Sequence, residues 1–191
     1  MRDIAEASEL SLGAAYHYFS SKEALVQAYY EWIQGEHERL ERAAAAPDSD
    51  LKTKLRTLLE TKLELLRRDR KVLAALFGSL GDPSQPLSLF GKETAAVRER
   101  SVDQFVAMVD DPSVPEEIRA PLGRALWLGH LGVFLFFIHD ASANQSKTHE
   151  LVDKFVDLVA MGVPLLAHPL AAPIRCQLLG LFEEIAPARR P

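Results

Sequence analysis

The chain has 191 residues, of which 48% are hydrophobic and 26% charged, a balance that is typical of a globular protein and excludes a disordered chain. The formal net charge of −5 argues against a protein that binds nucleic acid over its whole surface, although a local phosphate-binding patch fits. The single cysteine, Cys176, excludes an internal disulfide and fits a reducing cytoplasm.

Apolar residues recur at helical spacing, and no segment alternates apolar and polar residues, so the sequence predicts an all-α protein. A short helix over residues 1–8 precedes a second helix that Ser11 caps and that reaches Phe19. Ser20 and Glu23 form a capping-box pattern, which predicts a longer third helix to about Ala45.

Segments rich in proline, aspartate and serine separate the later helices, which we predict at about 51–68, 72–80, 87–109, 115–139, 147–163 and 172–185. The most apolar stretch, residues 122–138, is interrupted by Gly123, Arg124 and His130. A membrane span needs about 20 predominantly apolar residues, so this stretch predicts a buried helix and no membrane association.

Two short helices joined by a tight turn and followed by a longer one form a helix-turn-helix arrangement, in which the second helix lies in the DNA major groove. Residues 2–25, RDIAEASELSLGAAYHYFSSKEAL, resemble the motif of the TetR/AcrR family of transcriptional regulators. The combination Gly-x-x-Tyr-x-Tyr-Phe-x-x-Lys is the most specific part of this resemblance. The matching positions are Ile4, Ala5, Ser11, Gly13, Tyr16, Tyr18, Phe19, Ser21, Lys22 and Leu25.

The resemblance implies a set of DNA-binding residues whose chemistry suits that role. Aromatic hydroxyl and imidazole groups can reach phosphate oxygens, and a lysine in the first turn of a helix can share a phosphate with the free backbone N–H groups. We expect phosphate contacts from Tyr16, His17, Tyr18 and Lys22. By the same resemblance, the residues that face the base edges are Ser11, Leu12, Gly13 and Ala14.

Three departures from the family pattern bear on DNA binding. The turn position that the family fills with glycine is Glu9, where a positive φ would cost about 1 kcal/mol. Leu12, Gly13 and Ala14 offer few hydrogen bonds to bases. The family also has a helix before this motif, whereas the chain begins at Met1. We therefore expect a truncated helix-turn-helix domain with mobile first helices and weak binding to operator DNA. A start codon placed too far downstream, or a truncated record, is expected to explain the missing helix more simply than a natural truncation.

The resemblance also implies two domains: residues 1–46 for DNA, and residues 47–191 as a helical bundle for ligand binding and dimerisation. Aromatic side chains and a methionine around a few polar groups suit a small apolar effector. The pocket candidates are Leu66, Phe77, Phe90, Phe105, Met108, Trp127, His130 and Phe134. For each of them, simple core packing is the alternative.

Dimerisation is expected where the helices over 115–139 and 147–163 pack against their twins as a four-helix bundle. The alternative is that both belong to the core of a monomer. The interface candidates are Leu122, Leu126, Gly129, Val133, Phe136, Leu151, Phe155 and Leu158.

Taken together, the sequence predicts a cytoplasmic, homodimeric, ligand-responsive regulator, a repressor that releases double-stranded DNA when it binds a small apolar effector. It predicts no cofactor and no metal site. An enzyme is disfavoured because the sequence contains no phosphate loop, nucleophile elbow or histidine-rich metal motif. A regulator-like protein that has lost DNA binding, and acts by heterodimerisation or ligand sequestration, is the alternative.

Overall fold

The computed structural model describes residues 1–44, 46, 49–80, 87–88 and 91–185, with backbone only for residues 77–80, 178 and 181–185. Within these ranges the regular structure is helical and contains no strand, so the predicted all-α class is confirmed. The α-helices are α1 (Arg2–Ala7), α2 (Leu12–Tyr18), α3 (Lys22–Ala44), α4 (Leu51–Leu66), α5 (Arg70–Leu80), α6 (Ala95–Met108), α7 (Glu116–His139), α8 (Ser146–Ala167) and α9 (Ala172–Ile185).

Side-chain caps set where the first helices begin. The hydroxyl oxygen of Ser11 accepts a hydrogen bond from the backbone N–H of Ala14 at 3.0 Å, as expected for an N-cap residue. At α3 the cap is Ser21, which accepts from the N–H of Ala24 at 3.1 Å. The predicted capping box on Ser20 was therefore wrong by one residue, because Ser21 occupies the position from which its oxygen reaches the third residue of the helix.

The core of the larger helical region forms around α4. Phe105 of α6, Phe137 of α7 and Val156 of α8 pack against it, each at most 1% exposed. Gly123 of α7 lets α6 approach closely, since a Cβ atom at this position would lie 2.7 Å from the Cα atom of Val106. The leucines of α4 that are buried in this core are Leu51, Leu55, Leu58, Leu59, Leu63 and Leu66.

Two predicted helix boundaries were wrong. Helix α6 begins at Ala95 rather than near residue 87, because Thr94 donates from its hydroxyl to the carbonyl of Ser88 at 2.5 Å and holds the preceding chain in a turn. Helix α8 continues through Pro164 to Ala167. The guanidinium of Arg175 donates to the carbonyls of Leu166 and His168 near the end of α8, at 2.7 and 2.9 Å, and so satisfies groups that a helix end leaves unpaired.

Helix α7 is long and apolar enough to cross a membrane, and α8 joined to the segment after it also passes that test, although the pair is bent by 94°. In α7 the apolar character has a packing explanation, because this helix contacts α4, α5, α6, α8 and α9. The residues of α7 that this packing buries are Ile118, Gly123, Leu126, Trp127, His130, Val133, Phe137 and Ile138.

Polar contacts of Asp69 and Arg70, at the start of α5, join this part of the chain to α3 and to the end of α7. The hydroxyl of Tyr29 in α3 donates to a carboxylate oxygen of Asp69, between α4 and α5, at 2.6 Å. Arg70 of α5 donates to the carbonyls of Phe137 and Asp140 at 3.0 and 2.5 Å, with its guanidinium 5.0 Å from the centre of the Phe137 ring. These contacts fix α5 against both α3 and the end of α7.

Candidate nucleic-acid interface and ligand cavity

Helix α2 presents most of the predicted DNA-binding residues to solvent. Ser11, Leu12, Gly13 and His17 are exposed, and the side chains of Tyr16 and Tyr18 are 51% and 71% exposed; Lys22, at the start of α3, is also exposed. Ala14 is half-buried. Ala15 is buried and Phe19 half-buried, so the opposite side of α2 packs on its neighbours. The predicted contact residues are thus exposed, with the exception of Ala14.

The turn before α2 has a positive φ at Glu9, the position that the family fills with glycine. Glu9 has a φ of 56°, in the left-handed region where a side chain with a Cβ atom costs about 1 kcal/mol. The turn between α1 and α2 is therefore formed at some cost to stability.

Negative charge predominates around the first three helices. Residues 1–42 contain four lysines and arginines against eight aspartates and glutamates. Arg39 pairs with Glu36 at 2.5 Å, so its charge is already partly neutralised. Affinity for DNA depends largely on the cations that neutralise phosphates. Among residues 1–42, Lys22, at the first residue of α3, is the cation nearest to α2 in the sequence.

An open apolar groove runs beside α3, with a volume of about 500 Å³. Ile4, Phe19 and Leu25 line it together with Trp32 and Val72, which are both 55% exposed.

A second cavity, of about 120 Å³, lies between α3, α4, α5, α6 and α7. It brings together four predicted pocket residues, namely Leu66, Trp127, His130 and Phe134. Phe105 and Met108 are buried in the core and do not line the cavity, although the Phe105 ring centre lies 5.1 Å from that of His130. The Phe77 side chain and Phe90 lie outside the described residues.

Polar groups from four helices, α3, α4, α6 and α7, reach the same cavity. Lys62 of α4 contacts the amide oxygen of Gln34 in α3 through its ammonium, at 3.4 Å, and the indole N–H of Trp127 donates to the hydroxyl of Ser101 at 3.2 Å. Tyr30 also lines the cavity, and its hydroxyl is buried without a hydrogen-bond partner among the described residues. The cavity is therefore apolar with a few polar groups, as ligand pockets usually are.

Burial changes the protonation of these groups. It lowers the pKa of Lys62 to about 8, against the opposing attraction of Glu38. Burial and the positive charge of Lys62 lower the pKa of His130 to about 3, so its ring is neutral at pH 7. The Nδ1 atom of His130 faces the carbonyl of Trp127 at 3.2 Å and must donate, which leaves Nε2 as an acceptor.

Comparison with known protein families explains this architecture. The family model described as "Bacterial regulatory proteins, tetR family" matches residues 1–29, and the one described as "Tetracyclin repressor-like, C-terminal domain" matches residues 54–169. The second match alone covers more than half of the chain. The chain belongs to the tetR family.

Members of the tetR family are DNA-binding transcriptional regulators that dimerise and respond to small-molecule effectors, and they are generally not enzymes. No curated protein matches the chain closely enough to count as a relative. Within the described residues, no group of three or more histidine, cysteine, aspartate or glutamate side chains could hold a metal ion.

The interface candidates of this tetR-family chain fall into three groups. Leu126 and Val133 are 4% exposed and belong to the core of the described fold. Leu122, Gly129, Leu151 and Phe155 are half-buried, and Gly129 packs so closely that a Cβ atom would lie 2.6 Å from the Phe155 ring. Phe136 and Leu158 are exposed, at 41% and 68%.

Sequence reasoning missed Tyr30, Gln34 and Lys62 as cavity residues. A signal for Lys62 exists, since it occupies a helix position four residues after Leu58 and four before Leu66, both of which are buried. A lysine in such a row of leucines is unusual, because lysine is almost never fully buried without a partner. Tyr30 and Gln34 carry no comparable signal, since α3 has polar residues on several sides.

Proposed function

We propose that this protein is a homodimeric repressor that binds operator DNA through α2 and the start of α3 and releases it when a small, mainly apolar effector enters the cavity. It acts in the cytoplasm, with residues 1–46 as the DNA-binding domain and residues 47–191 as the ligand-binding and dimerisation domain. The observation that carries the proposal is the exposure of Tyr16, Tyr18 and Lys22 in the helix-turn-helix segment of a tetR-family chain.

Helix α3 provides a physical link between the two sites. Lys22 stands at its first residue, and Tyr30, Ile33 and Gln34 line the cavity further along the same helix. At a rise of about 1.5 Å per residue, Lys22 and Gln34 lie about 18 Å apart along the axis. A ligand that contacts the cavity end of α3 therefore biases the position of the DNA-binding end, provided that it binds the two positions with different affinity.

The homodimer is proposed to form on the exposed apolar side of α7 and α8. Such a patch on a soluble protein is typical of an interface. Because Leu126 and Val133 are buried in the core, the proposed contact between protomers is made by exposed apolar residues near them. These are Leu128, Leu135, Phe136, Leu158, Met161 and Leu165, which are between 41% and 70% exposed.

An electrophoretic shift on the DNA that flanks the gene of this protein tests DNA binding. At low salt we expect the wild-type chain to give a weak shift that specific unlabelled DNA competes away and unrelated DNA does not. Tyr16→Ala removes an exposed side chain, so it should weaken the shift about tenfold without changing the melting temperature, if one polar phosphate contact contributes about 1.4 kcal/mol.

The matched control is Lys154→Ala on α8, an exposed residue outside the proposed surface, which should leave the shift unchanged. A wild-type chain that folds and shows no sequence-dependent shift at low salt would contradict the proposal and favour a regulator-like protein without DNA binding.

A further inference from the structure

Lys62 is a buried cation with little local compensation. Its side chain is 9% exposed, and the leucines Leu58, Leu59 and Leu66 on the same side of α4 are at most 2% exposed. An ammonium group can donate three hydrogen bonds. The bond that the described structure gives it goes to the amide oxygen of Gln34, at a long 3.4 Å.

The carboxylate that attracts Lys62 is already engaged elsewhere. Glu38 accepts hydrogen bonds from the guanidinium of Arg100 at 2.9 and 3.2 Å and from the amide of Gln34 at 3.1 Å. Gln34 therefore stands between Lys62 and Glu38, and among the described residues no carboxylate contacts the Lys62 ammonium directly. A buried charge without a direct counterion costs several kcal/mol.

The cavity beside Lys62 has a positive lining. Lys62 and Arg98 are among its lining residues, whereas no aspartate or glutamate is among those described. His130 is neutral at pH 7, and the buried hydroxyl of Tyr30 has a proton to donate, because burial raises its pKa to about 12. The rest of the wall is apolar and includes Leu66, Trp127 and Phe134.

We propose that the effector is a small apolar carboxylic acid whose carboxylate pairs with the ammonium of Lys62, while its hydrocarbon part fills the space between Trp127, Leu66 and Phe134. This inference deepens the proposed function by naming the chemical class of the effector.

Charge and size favour a monocarboxylate over other ligands. A neutral apolar molecule would leave Lys62 without a counterion, and a cation would be repelled by Lys62. A phosphate dianion would bring two charges into a mainly apolar site, at a larger desolvation cost. The volume of about 120 Å³ suits a hydrocarbon part such as a short chain or a single ring.

The test uses two pairs of probes with the same shape and different charge, benzoate with benzamide and hexanoate with hexanamide. Binding is followed by the fluorescence of Trp127 in a Trp32→Phe background, since these are the two tryptophans of the chain, and by calorimetry. At pH 7 we expect each carboxylate to bind at least tenfold more tightly than its amide, because hydrogen bonds to charged groups are stronger than those between neutral groups.

Lys62→Met should abolish this preference, so that acid and amide bind with equal affinity, while Lys154→Met keeps the wild-type ratio. If Lys62→Met fails to fold, Lys62→Gln and a pH series on the wild-type chain replace it; above pH 8 the affinity for benzoate should fall and that for benzamide should not. Equal binding of acid and amide to the wild-type chain, or no binding of any of the four probes, would overturn the proposal.

The outcome separates this inference from the proposed function. If the chain shifts its flanking DNA but shows no preference for carboxylates, the proposed function is supported and the proposal that the effector is a carboxylic acid is contradicted. If the chain prefers carboxylates through Lys62 but does not bind DNA, the proposed ligand site is supported and the proposed function as a DNA-binding regulator is contradicted.

Discussion

The proposed DNA-facing surface and the ligand cavity place polar groups in opposite surroundings. The side chains of Tyr16, Tyr18 and Lys22 are exposed to solvent, so their polar groups remain hydrated and cost the fold little free energy. Lys62 and His130 lie among apolar side chains, where the charged form is disfavoured unless it finds a partner. The buried groups therefore say more about function than the exposed ones. A buried charge lowers the stability of the fold, so its presence calls for an explanation such as a bound ligand.

Acidification should reveal the largest difference between buried and exposed groups. Burial lowers the pKa of His37 and of His130 to about 3, so between pH 6.5 and 3 the unfolded chain binds more protons than the folded one. The stability that depends on their neutral form is complete above pH 6.5 and is lost as the pH falls. We expect the free energy of unfolding to decrease by up to about 1.4 kcal/mol per pH unit for each histidine, measured by urea denaturation at pH 7, 5.5 and 4.5.

His130→Gln should make this decrease shallower, because glutamine does not titrate. The exposed His139→Gln is the matched control and should keep the wild-type slope. Equal slopes for His130→Gln and the wild-type chain would show that His130 is not buried in its neutral form.

The exposed apolar side of α7 and α8 is a third kind of surface, and a charge placed there should break the proposed dimer. Leu158→Glu puts a carboxylate against its own symmetry copy in an apolar contact. We expect the dimer dissociation constant to rise at least a hundredfold, an effect of about 2.7 kcal/mol, in sedimentation experiments. Asp153→Asn, also exposed on α8, is the control; a Leu158→Glu chain that remains as dimeric as the wild type would place the interface elsewhere.

Removing the buried ammonium should stabilise the protein. At pH 7 Lys62 is charged in both the folded and unfolded chain, and its burial is unfavourable, so Lys62→Met should raise the free energy of unfolding by about 1 to 3 kcal/mol. Because the pKa of Lys62 is about 8 in the folded chain and 10.5 when unperturbed, wild-type stability should rise between these pH values and that of the variant should not.

The exposed Lys154→Met should change stability by less than about 0.5 kcal/mol. A Lys62→Met variant less stable than the wild type would mean that Lys62 is a favourable core group and weaken the case for a ligand there. The charged and titratable groups around Lys62 are Tyr30, His37, Glu38, Arg98, Arg100 and His130.

The smallest expected effect concerns the turn before α2. Glu9→Gly relieves a positive φ of 56° and should raise the free energy of unfolding by about 1 kcal/mol, less the entropy that glycine adds to the unfolded chain. Glu6→Gly, inside α1, should instead destabilise by up to about 1 kcal/mol. Thermal denaturation measures both, and a loss of stability in Glu9→Gly would contradict the account of this turn.

The sequence predicted helices and turns well where the signal is local. The cap at Ser11 follows from the neighbouring residues, whereas the positive φ at Glu9 was expected from the resemblance to the family. Trp127, His130 and Phe134 recur at helical spacing on α7, and all three line the cavity. The class of the fold and its family follow from the same kind of signal.

The sequence could not predict the features that depend on which helices pack against each other. Gln34 and Lys62 reach the cavity because α3 and α4 pack side by side, and no local pattern specifies that contact. Val133 and Leu158 are both apolar residues at helical spacing, but one faces the core and the other faces solvent. An apolar stripe does not distinguish a core from an interface, since both exclude water.

The most direct test of the central claim is the salt dependence of DNA affinity, measured by fluorescence anisotropy for the wild-type chain and Lys22→Ala on the flanking DNA. If Lys22 neutralises a phosphate, the account predicts that Lys22→Ala binds more weakly at every salt concentration and that its logarithmic salt slope is smaller by about 1. Lys154→Ala should match the wild-type chain in affinity and slope. Identical affinities and slopes for Lys22→Ala and the wild-type chain would contradict the assignment of α2 and the start of α3 as the DNA-binding surface.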